Sequence, residues 1–112
     1  MNVLITARAR AEAAALSGAE YVEICTVVAA LRKTGRLPGG RFGIVNDQFD
    51  LYACETPGTD QMMIFAHDPA TPQTAALALL WPGRDFTSRA KATVAGLAGS
   101  ALGLLNPRTF VF

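Results

Sequence analysis

Residues 42–81, FGIVNDQFDLYACETPGTDQMMIFAHDPATPQTAALALLW, decide the fold, because they hold a run of β-prone segments separated by turn signals. Phe42–Val45 and Phe49–Glu55 read as two strands around Asn46-Asp47-Gln48, the pattern of a hairpin. In the second, Phe49, Leu51 and Ala53 alternate with Asp50, Tyr52 and Cys54, which gives one buried face. Pro57-Gly58 suits the centre of a type II turn, since glycine supplies the positive φ required at its third position. Gln61–Ala66 is then a third strand, and the two prolines within His67–Gln73 make a loop. Thr74–Trp81 fits either a buried strand or a short helix; the abrupt stop at Pro82-Gly83 favours the strand.

Helical signals flank this block. Asn2–Thr6 is a short β-prone run suited to a sheet edge, and Ala7–Leu16 is helical by propensity, with Arg8 and Glu12 at i,i+4. Ser17 and Glu20 form a capping box that opens a second helix, which Gly35 closes at about Thr34. Its expected core stripe is Tyr21, Ile24, Cys25, Val28 and Leu31, and that places Cys25 as a small buried hydrophobe. The connector Arg36–Arg41 is broken by Pro38, Gly39 and Gly40. A final helix starts after Asp85 or Thr87 and ends before Asn106-Pro107, and Thr109–Phe112 has the composition of a short strand. The expected architecture is one α+β domain over 1–112. It has two N-terminal helices, a three- to four-stranded antiparallel meander, and a C-terminal helix packed on one face.

That last helix carries two stripes. Val94, Leu97, Ala101 and Leu104/Leu105 lie on one side, while Ala92, Gly96, Gly99 and Gly103 lie about 200° around the axis at 100° per residue. Each glycine costs a helix about 0.8–1 kcal/mol relative to alanine. Close contact on the small-residue side would offset that cost, so both faces are expected to be covered. The covering element would be the alanine-rich first helix of this chain or of a second copy. Ala92, Gly96, Gly99 and Gly103, with the apolar end Phe110 and Phe112, are the candidate interface.

Composition bounds the function. The 112 residues are 51% hydrophobic with 17% charge and a mean hydropathy of +0.27, so such a small domain has more apolar residues than its own core readily absorbs. A net charge of +1 removes any strong overall drive towards nucleic acid or anionic membrane. All Lys and Arg lie in 1–41 or 84–112, and the middle carries Asp47, Asp50, Glu55, Asp60 and Asp68. Two cysteines make no disulfide framework, no secretory leader is apparent, and no apolar run reaches the ~20 residues of a membrane span. The Arg-over-Lys, alanine-rich usage suggests a GC-rich bacterial or phage genome and a cytoplasmic protein.

The leading expectation is a non-enzymatic interaction module that self-associates or docks on a larger assembly, with no cofactor. Two alternatives rest on specific residues. A cysteine–histidine hydrolase or transferase would use Cys54 as nucleophile, His67 as base and Asp68 to orient the ring. Cys54, however, lacks the helix N-terminus or glycine elbow that lowers a thiol pKa. A nucleic-acid binder would use Arg32, Lys33, Arg36 and Arg41. Those residues also suit a helix C-terminus by the macrodipole alone, and no aromatic platform is interleaved with them. No metal-ligand spacing is present among the turn carboxylates and His67.

Overall fold

The computed structural model describes residues 1–83 and 85–103. A five-stranded sheet in the order β1-β5-β4-β3-β2 forms its centre. Its strands are β1 (Asn2–Ile5), β2 (Gly40–Val45), β3 (Phe49–Glu55), β4 (Gln61–His67) and β5 (Thr74–Pro82). The helices are α1 (Ala7–Ala14), α2 (Gly18–Thr34) and α3 (Ser88–Gly103). Strands β2 to β5 form the expected antiparallel meander. The sheet is nonetheless mixed, because β1 adds parallel to β5, pairing Asn2–Ile5 with Thr74–Leu77.

Local chemistry sets the element ends. Ser17 caps α2, its hydroxyl accepting from the Glu20 amide at 3.3 Å and donating to the Glu20 carboxylate at 3.1 Å. Gly35 ends the helix at φ 66°, donating its amide to Leu31 at 2.9 Å. Thr87 begins α3 by accepting from the Ala90 amide at 3.1 Å. The β2–β3 hairpin turns through Asn46 and Asp47 at φ 55° and 50°, the positive pair that a type I′ turn demands. Gly58 at φ 77° and the Thr59-to-Thr56 backbone bond at 3.2 Å form the β3–β4 turn. Gly39, in the α2–β2 connector, combines φ 82° with a backbone approach in which a Cβ would fall 1.8 Å from the Ala53 carbonyl oxygen.

The helices occupy both faces of the sheet. Met63, Phe65, Ala75, Leu77 and Leu80 point to one face, where Ala9 and Ala13 of α1 and Ile24, Val28 and Leu31 of α2 meet them. Leu51, Ile64, Ala66, Ala76, Ala78 and Leu79 point to the other, under Val94, Ala98 and Leu102 of α3. This overturns the idea that α1 could cover the glycine stripe of α3 within the chain, because the sheet separates the two helices. The alanines of α1 instead bring it close to β5. Expected contacts shift on α3 too, where Ala98 and Leu102 are buried and Leu97 is only half-buried.

A polar tether fixes α1 at this place. Pairing of β4 with β5 slips between Ile64/Phe65 and Leu79/Leu77, leaving Ala78 as the extra residue of a bulge. The buried Thr6 hydroxyl donates to the Ala78 carbonyl and accepts from the Ala9 amide at 3.0 Å, so it serves the bulge and caps α1 at once. Beyond the end of β1, the free Leu80 amide donates to Glu12 Oε1 at 3.0 Å. One strand edge is thereby closed by a helix side chain.

Candidate functional site

Helix α2 presents two apolar faces. Ile24, Val28 and Leu31 are buried against the sheet. The flank about 100° around the axis from those three carries Tyr21, 48% exposed, and Val22, 59% exposed, with Cys25 and Ala29 also exposed. At 100° per residue these four fall within about 100° of arc, so they form one stripe. Two expected core members, Tyr21 and Cys25, therefore belong to the outward side. The reason is geometric: the apolar arc of α2 is wider than one sheet contact can cover, and periodicity does not say which part of it turns inward.

The stripe borders a groove. Helices α1 and α2 diverge over the sheet and leave Ile5 and Leu77 as the floor of a cleft of about 390 Å³. Ala13 and Ala14 wall it from α1, and Tyr21, Ile24, Cys25 and Val28 wall it from α2. Arg10 and Arg32 also line it, and the Arg32 guanidinium donates to the Val3 carbonyl at 3.4 Å. Among the described residues, no acid lines this cleft. A second hollow, about 500 Å³, lies on the α3 side, where Leu4, Phe49 and Leu102 mix with Asn46, Gln48, Asp68 and Thr71.

Among the described residues, most of the small-residue face of α3 is uncovered. Ala92, Gly96 and Gly103 are exposed, and a Cβ on Gly96 or Gly103 would meet nothing within 4 Å. Gly99 alone touches another element: its carbonyl accepts from Asn46 Nδ2 at 3.2 Å, and an added Cβ would stand 3.2 Å from Asn46 Oδ1. Among the described residues, nothing supplies the expected coverage of the small-residue face of α3. Phe110 and Phe112, with the rest of 104–112, lie outside the described residues.

The catalytic alternative does not assemble. Cys54 stands opposite Met63 and His67 opposite Asp50, four residues apart along the strands, or about 13 Å. Burial, and then the neighbouring Glu55 carboxylate, push the Cys54 thiol up from its ordinary range, which works against a thiolate nucleophile. His67 Nε2 donates to the Pro72 carbonyl at 3.0 Å. The Asp68 carboxylate accepts from Gln48 Nε2 at 2.9 Å and from the Ala70 amide at 2.8 Å. Those two bonds, in that order, hold it below the usual carboxylate range, while burial opposes them and His67 adds a smaller lowering. Asp68 therefore orders a turn.

The basic quartet is also divided. Arg32 reaches β1 at one sheet edge, while Arg41 on β2 at the other edge pairs with Asp50 at 2.9 Å. Four inter-strand spacings, about 19 Å, separate those strands. Lys33 and Arg36 stay with Arg32 at the end of α2, so the four do not make one surface. Among the described residues, no three His, Cys, Asp or Glu side chains group to hold a metal, and no helix is long and apolar enough to cross a membrane.

Sequence reasoning missed Val22 and Arg10. The available signal was the breadth of the apolar arc on α2, which runs past any single stripe. Searches of family models, curated proteins and solved structures return no match to this chain.

Proposed function

We propose that this protein is a small non-enzymatic interaction module that docks on a larger protein assembly through the α1–α2 side of its sheet. The observation that carries the reading is the exposed stripe Tyr21, Val22, Cys25 and Ala29 on the flank of a helix whose Ile24, Val28 and Leu31 are already in the core. Single exposed hydrophobes are ordinary, but a contiguous stripe beside an apolar groove is characteristic of contact surfaces. An accessory role, structural or inhibitory, in a bacterial or phage-infected cytoplasm fits the composition and the small size.

Self-association is the second form of the same reading, and the exposed α3 stripe is its candidate contact. Gly96 and Gly103 have open space around them, so the helix bears about 0.8–1 kcal/mol for each with no compensating contact among the described residues. A second copy seated there would supply the compensation.

Light scattering over a wide concentration range, with affinity capture by wild type and by Val22→Glu, tests the proposal. The expected result is a bound partner that Val22→Glu releases. A monomer whose captured proteins are the same for both forms contradicts it.

A further inference from the structure

We propose that the α1–α2 groove receives an amphipathic helix of a partner protein, one that carries carboxylates beside its apolar stripe. The inference rests on the interaction reading above and specifies its partner. Helix α2 has 17 residues, about 25 Å, and its exposed stripe extends beyond the cleft through Val22 and Ala29. A surface of that length exceeds a small ligand and matches a helix of similar length, with an anchoring side chain seated over Ile5 and Leu77.

Charge selects the acidic partner. Arg32 lines the cleft from α2, and Lys33 and Arg36 follow at the exposed end of the same helix. The acids of both helices are directed elsewhere: Glu12 to the Leu80 amide and Arg8, Glu20 to the Ser17 cap, and Glu23 to the Gly58 turn. Among the described residues, the exposed stripe of α2 is thus flanked by bases and by no free carboxylate. A second copy laid on it through the same face would set bases against bases, whereas glutamates flanking a leucine stripe would meet them.

The test is a fluorescence-anisotropy titration of the intact protein with a leucine-striped helical peptide of about 18 residues, roughly five turns, flanked by glutamates. Its lysine-flanked counterpart serves as the comparison. The expected result is at least about tenfold tighter binding of the glutamate peptide, weakening with salt and falling about tenfold in Arg32→Glu and in Cys25→Glu. Cys25 is exposed, so its variant leaves the core intact, and an unchanged thermal midpoint checks this. Equal binding of the two peptides overturns the charge selection. If neither binds while light scattering finds an oligomer that Val22→Glu dissociates, the acidic-helix proposal fails and the interaction reading survives. If neither binds and Val22→Glu changes neither assembly nor capture, both fail.

Discussion

Helices α2 and α3 are nearly equal in length, 17 and 16 residues, and lie on opposite faces of one sheet, yet their outward sides differ in kind. The outward side of α3 is Ala92, Gly96, Ser100 and Gly103, which expose little apolar area and cost the helix only intrinsic propensity. On α2 the exposed stripe is Tyr21, Val22, Cys25 and Ala29, on the flank about 100° around the axis from the buried residues, where two large side chains stand in water. A small-residue stripe can therefore be tolerable exposure, and it need not mark a contact. Large apolar residues on a second helix face are the stronger sign, because each removes a sizeable area from water when a partner arrives.

The contrast can be broken most forcefully at Thr6, which holds α1 beside α2. Thr6→Val leaves the Ala78 carbonyl of the bulge unpaired and removes the cap on Ala9, for an expected loss of about 2–4 kcal/mol in urea unfolding. The groove wall should loosen with it, while α3 amides keep their hydrogen-exchange protection. A loss below about 1 kcal/mol would show that the tether does not set the position of α1.

Gly96→Ala probes the other helix with opposite sign. Open space at this position predicts a gain of about 0.5–1 kcal/mol in the same assay. A destabilised variant, or one whose oligomer dissociates, would place a close neighbour on α3. Val22→Glu completes the pair: at 59% exposure it should shift stability by no more than about 0.5 kcal/mol while abolishing partner capture.

The thiols sharpen the contrast further, with the smallest effect on the fold. Cys25 on the open stripe should react with a disulfide reagent before half-buried Cys54, whose thiol is pushed up by burial and Glu55. Because the folded state holds the Cys54 proton longer than the unfolded chain does, its contribution is present below the unfolded thiol range. It is lost as pH climbs through the raised folded value. Cys54→Ala should therefore flatten the alkaline decline of the melting temperature, and an unaltered decline contradicts that assignment.

The local grammar of this chain was readable from its residues. Ser17, Glu20 and Gly35 bracket α2, Asn46-Asp47 makes the hairpin, Pro57-Gly58 makes the next turn, and Pro82 ends β5. The hidden features are non-local. Parallel pairing of Asn2–Ile5 with Thr74–Leu77 joins segments some seventy residues apart, and four β-prone residues carry no mark of their partner. The face on which each helix packs was equally hidden, because alanines on α1 suit a tight contact with either a sheet or a glycine stripe. The exposed stripe of α2 is visible as residue types, but Tyr21 and Cys25 share helical spacing with Ile24 and Val28, so spacing alone places them in the core.

Oxidative footprinting of the protein with and without the glutamate-flanked peptide compares the two helices in a single measurement. The account predicts that Tyr21 and Cys25 become protected while Leu97 on α3 stays as reactive as before. Protection of Leu97 with Tyr21 and Cys25 unchanged, or no protection anywhere, would contradict it.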